Sequence, residues 1–97
     1  MFARVASFEG GDMERLRQMN DEAMASGTIG FPDGLERAML LKDEAGNRRL
    51  FVTFFASREA LDAAAGRFEE MGDEIPEDVR GRRTSVAVYE VVLDQTV

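Results

Sequence analysis

Four short apolar-rich stretches of this 97-residue chain read as strands, and two longer ones repeat apolar positions with helical spacing. Phe2–Phe8 sets Phe2, Arg4, Ala6 and Phe8 against Ala3, Val5 and Ser7, the two-residue period of a strand with a different environment on each face. Gly10-Gly11 breaks that strand, and Asp12 supplies an N-cap for a helix. Along this helix Met13, Leu16, Met19 or Asn20, Ala23 and Met24 fall on one side, with Glu14, Arg15, Arg17, Gln18 and Glu22 mainly outside. Gly27 and Gly30-Phe31-Pro32-Asp33-Gly34 mark its end and the loop beyond. Leu35–Lys42 and Arg49–Ala56 read as strands joined by the turn residues Asp43-Glu44-Ala45-Gly46-Asn47. Ser57 then caps a helix whose apolar run is Leu61, Ala64, Ala65, Phe68 and Met71. Gly72–Arg83 is polar, contains Pro76 and Gly81, and reads as a loop. Ser85–Leu93 is the last strand, with Val86, Val88 and Val92 on one face and Ala87, Tyr89 and Val91 on the other.

The order is β-α-β-β-α-β, an α+β ferredoxin-like arrangement occupying residues 1–97 as a single domain. Its four-stranded antiparallel sheet carries both helices on one face. The third strand is apolar on both sides, with Leu50, Val52 and Phe54 on one and Phe51 and Phe55 on the other. A strand buried twice over needs two covers, and the chain has helices for one. The uncovered face draws on Ala3, Val5, Phe51, Phe55, Ala87, Tyr89 and Val91. Burying ~500 Å² of it per subunit contributes on the order of 12 kcal/mol before association costs. A homodimer through the sheet faces is therefore expected.

Composition narrows function mainly by what is missing. There is no cysteine, histidine or tryptophan. A nucleophile–histidine triad, a histidine-bound zinc and a proximal histidine to haem are excluded, and no metal or cofactor is expected. The net charge of −7 disfavours nucleic acid. Arg80, Arg82 and Arg83 cluster, but Asp73, Glu74, Glu77 and Asp78 precede them, which reads as a mixed solvated loop. No apolar run reaches the ~20 residues of a membrane span, and the amino terminus lacks the pattern of a secretory signal, so a cytoplasmic location is expected.

The hairpin, the Phe55-Ala56-Ser57-Arg58-Glu59-Ala60 junction and the closing Val88-Tyr89-Glu90-Val91 strand resemble the dimeric α/β-barrel superfamily. Within it the resemblance is to small antibiotic-biosynthesis-monooxygenase-like proteins, and it runs from Phe2 to about Leu93. The resemblance implies a ferredoxin-like subunit that pairs into a dimeric α/β barrel, with a small-molecule pocket between sheet and helices. It implies cofactor-independent oxygenase or isomerase chemistry on a small apolar or aromatic substrate, beside a non-catalytic ligand-binding or accessory homodimer as the alternative. Many members carry Trp at the strand-to-helix junction, where this chain has Phe55, which keeps the bulk and loses the indole donor.

Against that frame, Arg4 and Tyr89 are the candidate catalytic residues. Arg4, flanked by Phe2, Ala6 and Phe8, needs a partner if buried: a ligand carboxylate or enolate oxygen, or, as the favoured reading, Glu90 on the last strand. Tyr89 is either a proton donor to a ligand oxygen or, more simply, a tyrosine at the dimer interface. Asn20, Phe55 and Met39 are candidate ligand-binding residues, with solvated-border and core-filling roles as their plainer readings. An open pocket with Arg4 unpaired favours an enzyme, and one plugged by Met and Phe side chains favours an accessory dimer.

Overall fold

The computed structural model describes residues 1–27 and 30–97. Thr28 and Ile29, part of the expected Gly27–Gly34 loop, lie outside the described residues. The elements are β1 (Phe2–Glu9), α1 (Met13–Ser26), β2 (Leu35–Lys42), β3 (Arg48–Phe55), α2 (Arg58–Ala63), α3 (Ala65–Glu74), α4 (Glu77–Arg80) and β4 (Arg82–Glu90). The four strands form one antiparallel sheet in the order β2-β3-β1-β4, the ferredoxin-like arrangement.

Local chemistry sets the element ends where expected. Asp12 accepts a hydrogen bond from the backbone N–H of Arg15, and Ser57 accepts one from Ala60, each answering an N–H that a helix start leaves unpaired. Gly27, at a φ of 68°, closes α1 in the left-handed conformation that glycine adopts without steric cost. The hairpin turns on Asp43, whose backbone N–H donates to the Arg48 carbonyl and whose side chain accepts from the Arg48 N–H.

Register assigns the faces. Phe2 pairs with Phe55, Arg4 with Thr53, Ala6 with Phe51 and Phe8 with Arg49, so these eight side chains share the helix side. There Phe55, Leu61, Ala64 and Phe68 form the buried core, and the Phe68 ring meets Phe51 and Phe55 edge-on at 6.2 and 6.1 Å. Phe51 and Phe55 are thus core residues, not members of the uncovered face. The opposite face carries Ala3, Val5, Leu50, Val52, Phe54, Met39, Leu41, Ala87 and Tyr89. Among the described residues no helix lies on this side, and Leu41 and Tyr89 stand exposed.

Two expected element bounds change as well. Gly72–Arg83 is not a loop: α3 runs through Gly72 to Glu74, α4 follows Pro76, and β4 begins at Arg82. The last strand also ends at Glu90 rather than Leu93. The Val91 N–H closes the ladder on the Met1 carbonyl, and no β1 residue remains to pair beyond it.

Candidate functional site

α1 carries an apolar stripe but buries none of its residues. Met13, Leu16, Met19 and Ala23 are half-exposed along the side that faces the sheet across a cleft of about 2330 Å³. The sheet supplies the floor of that cleft, including Arg4, Ala6, Phe8 and Phe51, and α3 supplies a wall with Phe68 and Met71. A second, smaller cavity of about 330 Å³ lies toward β4, lined by Leu61, Val86, Val88 and Glu69. Arg4 borders both cavities.

Arg4 is only 7% exposed and forms no ion pair among the described residues. The pairing with Glu90 does not occur: in register Arg4 faces Val88, and Glu90 lies two pairs further along, opposite Phe2. The guanidinium carbon instead sits 4.3 Å from the centre of the Phe68 ring, a cation–π contact that partly replaces lost hydration. Burial lowers the Arg4 pKa, the nearby Arg83 lowers it further, and Glu69 opposes both. A guanidinium still keeps its charge at neutral pH. Glu69 is committed elsewhere, since Arg83 donates to it at 2.8 Å and that hydrogen bond holds its carboxyl below the ordinary range. Arg4 is therefore a buried cation bordering a cleft whose floor and walls mix apolar and charged side chains, and an anionic oxygen is the chemical complement it lacks.

The other candidates distribute unevenly. Asn20 is exposed on α1 and borders the same cleft as Arg4. Met39 also borders the cleft from β2, an edge strand, although its pairing with Val52 places it in the row of the uncovered face. Phe55 is fully buried and lines neither cavity. Tyr89 pairs with Ala3 on the uncovered face, 58% exposed, so Tyr89 and Arg4 of one chain do not meet. The arginine cluster is occupied: Arg82 pairs with Glu9, Arg83 with Glu69, and Arg80 donates to the carbonyls of Ile75 and Gly81.

Two residues of the floor escaped the sequence reading. Arg49 is 1% exposed and shares the helix-side row with Phe51, Thr53 and Phe55, and Lys42 is its cross-strand partner. The signal was present, because Arg49 stands two residues before Phe51 as Arg4 stands two before Ala6. Among the described residues no group of three or more acidic, histidine or cysteine side chains is arranged to hold a metal ion. No described helix is long and apolar enough to cross a membrane.

No family model matches the chain, and none of the curated proteins does. Solved structures do. Rv0793 from Mycobacterium tuberculosis is similar with a TM-score of 0.65 at 19% identity, covering 98% of both chains. A mutant of MhuD, crystallised with two manganese protoporphyrin IX bound per active site, is similar with a TM-score of 0.62 at 19% identity over the whole of both chains. At such identity the likeness is one of fold. The chain shares the ferredoxin-like α+β fold of these two structures.

Proposed function

We propose that this is an antibiotic-biosynthesis-monooxygenase-like cytoplasmic homodimer whose helix–sheet cleft binds a small apolar or aromatic molecule through an anionic oxygen held by Arg4. The observation that carries this reading is the state of Arg4: buried, charged, without an acidic partner, and set in the floor of an open cleft. A Met-and-Phe plug would have favoured an accessory dimer, but the apolar stripe of α1 is left half-exposed across the gap. Binding there replaces water on both apolar walls, and Arg4 fixes the polar end of the ligand.

The same geometry supports a reaction type. A guanidinium fixed beside a carbonyl or phenol stabilises the enolate or phenolate formed when a proton leaves, which is the charge that cofactor-independent oxygenation or isomerisation must support. In this reading Arg4 is the catalytic residue and Asn20 borders the ligand. Tyr89 belongs to the subunit interface. A metalloporphyrin held by histidine, cysteine or tyrosine does not fit the cleft, because the chain has no histidine or cysteine and its one tyrosine lies on the far face of the sheet.

The test is native mass spectrometry of freshly purified protein, taken from gentle to stripping conditions, alongside Arg4→Met. A dimer that carries an acidic small molecule, and an Arg4→Met dimer that has lost it, is the expected result. A wild-type protein that stays bare, and remains so after incubation with apolar carboxylic acids, overturns the proposal.

A further inference from the structure

At the far end of the cleft floor from Arg4, Lys42 and Arg49 stand as a cross-strand pair on the helix side. Like charges placed directly opposite repel and destabilise a sheet. Neither residue has an ion-pair partner among the described residues. Two acids beside these strands are engaged elsewhere: the Glu9 carboxylate pairs with Arg82, and the Asp12 carboxylate caps α1. Arg49 is the sharper anomaly. Its Nη2 donates to the Arg80 carbonyl at 3.3 Å, while its Nε and Nη1 are buried and have no acceptor. Leaving a charged group buried with unmet donors is strongly unfavourable. The surrounding chain is nonetheless shaped to admit it, since a Cβ on Gly11 or on Gly81 would collide with Arg49 Nη2.

We infer that Lys42 and Arg49 form a second anion-binding subsite in the cleft, so that its ligand is an elongated apolar molecule with an acidic group at each end. This rests on the cleft being the ligand site, and it adds the length and charge of the ligand. Four residues of strand and one strand spacing separate Arg4 from Arg49, about 14 Å. Ala6 and Phe51 lie between them in the same face, so the middle of the ligand meets apolar surface. An α,ω-dicarboxylic acid matches this pattern, and a monoacid leaves one cation bare.

Calorimetric titration with dodecanoate and dodecanedioate separates the two levels of the argument. The wild-type dimer is expected to bind the diacid at least tenfold more tightly than the monoacid. Lys42→Met, at an exposed position, and Arg49→Met are both expected to bring the diacid back to the monoacid's affinity. Lys42→Met keeps the test valid if Arg49→Met fails to fold. A protein that binds both acids equally retains its cleft and overturns the second subsite, as does a diacid advantage that survives Lys42→Met. A protein that binds neither acid overturns the cleft reading as well.

Discussion

Phe68 does two jobs for Arg4, covering the guanidinium with its ring face and locking into Phe51 and Phe55 through its edges. Phe68→Ala removes both and is expected to cost about 3–5 kcal/mol in denaturant unfolding. A loss below about 1 kcal/mol would show that the aromatic cluster is not the core. Arg4 was legible as a charge on an apolar strand, but its partner was not, because strand order leaves the choice between an acid and an aromatic ring to the helix above. The acidic residues carry a pH signature of their own. Glu69 and Glu74 both titrate below their ordinary range, through hydrogen bonds from Arg83 and Arg67 respectively. Between the folded and unfolded pKa values the unfolded chain binds more protons, so their contribution is complete above the unfolded value and disappears as the pH falls through the folded one. Urea unfolding from roughly pH 5 down to pH 3 is expected to show falling stability, and Glu69→Gln to flatten that slope modestly, as suits an exposed pair. An unchanged slope in Glu69→Gln would remove the Arg83 pair from the acid response.

At the scale of elements, α1 and the core helices differ in what they bury. Leu16→Ala, on the half-exposed stripe of α1, is expected to cost under about 1 kcal/mol, well short of a buried leucine such as Leu61 at about 2–5 kcal/mol. Equal losses in thermal melts of Leu16→Ala and Leu61→Ala would mean that α1 is packed and the cleft closed. The strands of the hairpin, both helix caps and the turn were readable because apolar period and capping chemistry agree there. The start of β4 was not, since Arg82 to Val86 are all exposed and an exposed edge strand has no apolar alternation to betray it. The extension of α3 past Gly72 was hidden by the polar composition of Gly72–Arg83, although Phe68, Met71 and Ile75 continue the helical spacing. Pro76 followed by Glu77 and Asp78 is likewise the start signal of a short helix.

The whole molecule has two apolar surfaces with different fates. The sheet face bearing Val5, Leu50, Val52 and Phe54 is apolar and without a helix on it among the described residues, which suits a second copy of itself. The cleft is concave and its sheet floor carries Arg4, Lys42 and Arg49, which suits an acidic ligand. That a cover was needed was readable from a strand apolar on both sides, but which residues it would cover was not, because a one-residue shift of register exchanges the faces. Val5→Glu, in a central strand of the uncovered face, is expected to give a monomer by light scattering, whereas a dimer of unchanged stability would place the interface elsewhere. The most direct test of the ligand site is to follow backbone amide and methyl resonances while dodecanoate is added. Shifts confined to the α1 stripe and the helix-side floor, at Leu16, Met19, Arg4, Ala6 and Met71, and abolished by Arg4→Met, are the expected result. Shifts centred on Val5, Leu50 and Tyr89, or none at all, would contradict a cleft built around a waiting cation.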